Sequence, residues 1–146
     1  MKHFNYNKSQ AIMIKSKEIA KVLSQLSDHS KAEFIFDGND IIIRALDDAS
    51  KLSLSTVVYY GNSYIPKSVR QSVQKQLPDF NSLIPTFLSV DEQHFRIFLN
   101  YLGKFDNINS SKLQNLLEEF GSVADEWRLY LDDQDRNDHI YIYKNR

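Results

Sequence analysis

The sequence predicts an α+β fold, an antiparallel sheet flanked by helices, in the order α-βββ-α-ββ-α with a short C-terminal strand. Three observations predict it. Apolar residues recur at helical spacing near the start of the chain and again over 113–131. A stretch over 52–60 alternates with the period of two that a strand requires. The strand-like segments fall in groups of three and two with helix-like segments set apart from them, which is the α+β arrangement. The 146 residues suit a single domain over 1–146.

The first helix is expected from Ser16, a good N-cap, with Glu18 favourable to the dipole in the first turn. Ile19, Val22, Leu23 and Leu26 follow at i, i+3, i+4 and i+7, and Asp28-His29-Ser30 ends the helix. Phe34 and Phe36 then alternate with Glu33, Ile35 and Asp37 as a strand. Asp37-Gly38-Asn39-Asp40 reads as a hairpin turn, because Gly and Asn tolerate positive φ. Ile41-Ile42-Ile43 is the second strand, Asp47-Asp48-Ala49-Ser50 a second turn, and 52–60 the third strand.

Gly61-Asn62-Ser63 breaks the sheet, and Pro66 stands where a helix N1 proline belongs. The second helix shows a narrow stripe of Val69, Val73 and Leu77 before Pro78 stops it. Residues 86–90 and 94–100, with Asp91-Glu92 between them, read as a second hairpin in preference to a one-turn helix through 91–95. Ser111 and Gln114 form a capping box for the last helix, whose stripe runs Leu113, Leu116, Leu117, Phe120, Val123, Ala124, Trp127 and Leu131. Asp132-Asp133-Gln134-Asp135 is expected to close it, and alternating Ile and Tyr over 139–143 to form the extra strand.

Composition narrows the function. With nine Phe, eight Tyr and one Trp, the chain closes a core without metal or disulfide. It has no cysteine, so disulfides, zinc–thiolate sites and thiol nucleophiles are excluded. The N-terminus has neither the charged start nor the apolar run of a signal peptide, and no window spans a bilayer. A soluble, cytoplasmic protein is expected. A formal charge of −1 gives no basic excess for neutralising phosphates. Tyr59, Tyr60 and Tyr64 with Arg44, Lys67 and Arg70 are read as sheet aromatics and helix-surface cations in preference to a stacking patch for single strands.

No catalytic arrangement emerges. His3, His29, His94 and His139 are scattered, without the i, i+4 pair of a helical metal site. Gly38, Gly61, Gly103 and Gly121 form no phosphate loop, and Glu118 and Glu119 point about 100° apart on a helix. The expectation is a non-enzymatic protein without cofactor or metal, neither nucleic-acid-binding nor membrane-bound, that works by binding another protein.

The closing helix holds Leu116-Leu117-Glu118-Glu119-Phe120 and then Ala124-Asp125-Glu126-Trp127-Arg128, a bulky apolar group followed by an aromatic and Arg. With Leu52-Ser53-Leu54-Ser55 ahead of Pro66 and the order of elements, residues 16–131 resemble the class I type III secretion chaperones, and the bacterial YbjN-like proteins share the general architecture. The −1 charge and the strand over 139–143 lie outside that pattern. The resemblance implies a homodimer with Val69, Val73 and Leu77 at its interface. It also implies capture of a secreted effector's N-terminal segment, with Ile19, Val22, Leu23, Leu26, Phe34 and Phe36 as groove residues and an open sheet edge accepting a strand. The alternative is an immunity or regulatory protein that binds and neutralises a protein partner through a preformed face.

Overall fold

The structure, a computed structural model, describes residues 3–48, 50–76, 78, 80, 82–105 and 108–144. In chain order these form α1 (His3–His29), β1 (Lys31–Phe36), β2 (Asn39–Leu46), β3 (Lys51–Tyr60), α2 (Lys67–Lys75), β4 (Thr86–Asp91), β5 (Arg96–Lys104) and α3 (Ser110–Lys144). The predicted α-βββ-α-ββ-α order is the observed one. The strands make one antiparallel five-stranded sheet in the order β1-β2-β3-β5-β4.

Local chemistry sets the turns. Asp37 and Gly38, with φ of 48° and 82°, form the two-residue loop that joins Phe36 to Asn39, the twist a tight hairpin needs. Ser30 ends α1 in the left-handed region at φ 59°. Its N–H bonds to Leu26 O, and its carbonyl accepts from Ala45 N at 2.9 Å, so the end of α1 is tied to the sheet.

The sheet has one covered face. Alternation turns Ala32, Phe36, Ile41, Ile43, Leu52, Leu54, Ile97 and Leu99 inward, where Ile19, Val22 and Leu26 of α1 and Leu113, Leu117, Phe120 and Leu131 of α3 cover them. Each large side chain buried here contributes about 1.5–3 kcal/mol. Phe80 stacks edge-on to Trp127 at 4.9 Å, closing the α2–β4 connection against α3. Among the described residues no helix covers the other face of the sheet.

Several element boundaries depart from the sequence reading, Pro66 standing at the N-cap of α2 and not at N1, and β5 starting at Arg96 and not at residue 94. The first helix starts at His3, not Ser16. No Gly or Pro interrupts residues 3–15, and a Ser whose neighbours already have helical partners caps nothing. The third helix is capped by Asn109, whose Oδ1 accepts from Lys112 N at 2.8 Å, and not by Ser111. The extra strand over 139–143 does not form: α3 continues as helix to Lys144.

The extension of α3 has a cause in α2. That helix begins after Pro66, which has no side chain to cap it. Asp138 supplies the cap from α3, its Oδ2 accepting from Ser68 N at 3.1 Å, while Ser68 Oγ donates to Gln134 O at 3.0 Å. The acids over 132–135 therefore lie inside a helix, and Asp133 is paired with Arg136. The strand propensity of alternating Ile and Tyr gives way to a helix already anchored on its neighbour.

Candidate functional site

The sheet has two edges, and the chain treats them differently. At β4, Gln76 at the end of α2 turns its side-chain amide onto the strand. Its Oε1 accepts from Leu88 N at 2.8 Å and its Nε2 donates to Leu88 O at 3.3 Å. The amide thus takes the place of a neighbouring strand's peptide at Leu88 and blocks that edge at its middle. Gln76 holds this pose from a left-handed C-cap, φ 52°.

At β1 no such closure exists among the described residues. A two-residue hairpin leaves its flanking pair, Phe36 and Asn39, hydrogen-bonded to each other. Alternate residues Ile35, Glu33 and Lys31 then turn their N–H and C=O groups away from β2, toward open space. Unpaired strand edges of this kind are templates for another chain.

Beside the open edge runs a groove of about 530 Å³ between α1 and β1, lined by Glu18, Lys21, Val22, Gln25, Glu33, Phe34, Ile35 and Asp40. Ile35 is 68% exposed, a large apolar side chain on the uncovered face of the strand. Phe34 faces inward but is only half-buried and packs edge-on to Phe36, ring centres 6.4 Å apart.

The hairpin that presents β1 is held from behind by α3. Arg128 donates to Asn39 Oδ1, to Thr56 Oγ1 at 3.4 Å and to Val57 O at 2.8 Å, beside the bulge between Val57 and Tyr59. Thr56 Oγ1 in turn donates to Asp40 O at 2.8 Å. Gly121 permits the close approach, since a Cβ there would meet Asn39 Nδ2 at 3.2 Å. The Trp127-Arg128 pair of the sequence resemblance therefore joins core to hairpin: Trp127 is buried, and Arg128 positions the open edge.

At the far end of the sheet the β4–β5 turn is fixed by charge. The Arg96 guanidinium beside Asp91, 2.9 Å away, with His94 at 3.0 Å, pulls the Asp91 carboxyl down to about 2. Arg70 of α2 clamps Glu92 with two bonds of 2.7 and 3.0 Å and lowers its pKa. Tyr59 is pushed up to about 12 by burial first and by Asp135 second. These groups hold the turn and the helices in place. Among the described residues no group of three or more His or acidic side chains is placed to hold a metal ion.

The predicted site residues divide. Val22 and Phe34 line the groove, Leu23 is half-buried against the core, and Ile19, Leu26 and Phe36 lie fully inside it. Val69 and Val73 are buried within this one chain, and Leu77 lies outside the described residues. The solvent side of α2 carries Lys67, Gln71, Gln74 and Lys75. Of the drawn stacking patch, Tyr59 is buried and Arg70 is held by Glu92, leaving Tyr60 and Tyr64 exposed.

Sequence reasoning missed Glu18, Lys21, Gln25, Glu33, Ile35 and Asp40. A helix stripe names the residues that face the core, whereas a groove is walled by those flanking the stripe. One signal was available: Ile35 is apolar at an outward position between two inward phenylalanines.

No family model matches the sequence, and no curated protein sequence matches it. Solved structures do resemble the fold. A chain of the ExsC–ExsE complex superposes with a TM-score of 0.59 at 12% identity, covering 80% of this chain and 95% of that one. A chain of the heterodimeric ExoU–SpcU complex from the type III secretion system of Pseudomonas aeruginosa gives 0.51 at 16%, covering 70% and 83%. The Yersinia pestis type III secretion chaperone SycH, in complex with a fragment of YscM2, gives 0.50 at 10%, covering 77% and 98%. At these identities the likeness is one of fold: the chain has the fold found in these complexes.

Proposed function

We propose that this chain is a non-catalytic cytoplasmic chaperone of the type III secretion kind, which binds a secreted effector and keeps one segment of it extended and secretion-competent. The contrast between the two sheet edges carries the reading. One is blocked at Leu88 by Gln76, and the other is open beside an apolar-floored groove. An extended segment added to β1 gains backbone hydrogen bonds from Lys31, Glu33 and Ile35, while its alternate side chains enter the groove. A segment held this way is kept from folding on itself. The shared fold with secretion complexes is consistent with this use.

Self-association belongs to the same reading but not to the valine stripe of α2, which is spent inside the chain. A homodimer is better served by the uncovered face of β4 and β5, where Phe87 and Leu102 are 49% and 46% exposed. Light scattering at micromolar concentration is expected to give about twice 17.1 kDa, and Phe87→Ser with Leu102→Ser to return it to the monomer mass.

The test of function is co-purification from the native host of the tagged chain against Ile35→Pro. Proline at 35 removes an outward N–H without breaking the β1–β2 ladder. A secreted protein that accompanies the wild type and is lost from the folded variant supports the proposal. Equal recovery with both chains overturns it.

A further inference from the structure

The open edge carries a pattern of charge that specifies what can lie against it. Lys31 stands directly opposite Arg44, and both are exposed. Sheets disfavour like charges in directly opposed positions, and among the described residues no acid pairs with either one. Toward the hairpin the sign reverses. Glu33 and Asp40, both exposed, lie on a diagonal two ladder positions apart, and Glu18 joins them along the groove, with Lys21 opposing.

None of these acids is in an ion pair among the described residues. Two arginines that line a cavity with Glu33 and Asp40 are already engaged: Arg96 holds Asp91 at 2.9 Å, and Arg128 holds Asp125 at 3.1 Å and Val57 O at 2.8 Å. The edge is therefore cationic where β1 begins and anionic over Glu33 and Asp40, which no ion pair among the described residues neutralises, whereas Asp37 at the hairpin is held by Lys15 at 2.9 Å.

Alternation puts Lys31, Glu33 and Ile35 on the uncovered face of β1 and Ala32, Phe34 and Phe36 on the covered one. A strand laid along this edge brings its own outward side chains to about 5 Å from the first three. We infer that the segment bound at β1 carries, on alternate residues, an acid beside Lys31, a base beside Glu33 and an apolar residue beside Ile35, with apolar residues between them facing Val22 and Phe34. The inference rests on the strand-addition reading above and deepens it, giving the chemistry and register of the partner.

The test measures binding of two synthetic peptides to the full chain by fluorescence anisotropy at low salt. One carries the matched order acid, base, apolar on its outward positions; the other exchanges acid and base. Each is made in both chain directions, so that parallel and antiparallel docking are both sampled. The matched pattern is expected to bind about tenfold tighter than the exchanged one, because two attractive surface pairs replace two repulsive ones. The preference should shrink in high salt. It should invert in the Lys31→Glu, Glu33→Lys double variant, whose folding circular dichroism checks.

Equal binding of both patterns to the wild type, with both lost on Ile35→Pro, overturns the charge register and leaves strand addition standing. Binding of neither peptide in either direction overturns strand addition itself, and the register with it. The wild-type comparison decides the inference even where the double variant fails to fold.

Discussion

Gln76 shows how much one side chain decides about this sheet. Its amide makes two bonds to the backbone of Leu88, each worth about 0.5–1.5 kcal/mol net. Gln76→Ala is expected to lower stability by about 1–2 kcal/mol in urea titration. It should also produce association beyond the dimer that grows with concentration, because β4 then presents a second open edge. Loss of stability alone, without association, would show that Gln76 braces α2 but does not guard the edge. Arg128→Ala acts on the opposite edge. It removes charged bonds to Asn39, Thr56 and Val57, with an expected cost of about 2–3 kcal/mol and faster amide exchange in the β1–β2 hairpin. Asp91 gives a test by pH. Its pKa of about 2 lies below the usual 3.8, so the folded state binds fewer protons than the unfolded chain between those values. The stabilisation it provides is complete above about pH 4 and is lost as the pH falls toward 2. An NMR titration of the Asp91 carboxyl should show a midpoint near 2, moving toward 3.8 in Arg96→Gln.

At the scale of elements, strands were more legible than helix ends. Alternation over 52–60 and the Asp37-Gly38 turn carry enough local information to place β1, β2 and β3, since each depends on nearest neighbours and turn chemistry. Helix boundaries depend on partners far along the chain. The bond from Ser68 to Asp138 joins residues 70 positions apart, and no local pattern announces it. For the same reason the alternating Ile and Tyr over 139–143 suggested a strand, although α3 runs on to cap α2. Asp138→Ala is expected to fray the start of α2 and cost about 0.5–2 kcal/mol, the usual range for a lost N-cap. The check is amide exchange at Ser68 and its neighbours; unchanged exchange there would remove the reason given for the length of α3.

At the scale of the molecule, the fold was legible, and of the residues lining the groove only Val22 and Phe34 were among those predicted. An apolar stripe such as Ile19, Val22 and Leu26 is the strongest signal a helix gives, and here it records burial in the core. Binding surface is assembled from residues whose exposure only the packed structure reveals, Ile35 and Glu33 above all. The same holds for Val69 and Val73, which serve the interior and leave α2 a polar outer side. What makes the molecule a binder in this account is an asymmetry: one sheet with a guarded edge and an unguarded one. The most direct test is hydrogen exchange on the chain alone and in complex with its co-purified partner, read at the outward amides of Lys31, Glu33 and Ile35. These three amides are expected to exchange quickly in the free chain and to become protected in the complex, with the β4 amides unchanged. Protection that falls on β4 and β5 while β1 stays exchangeable would contradict this expectation.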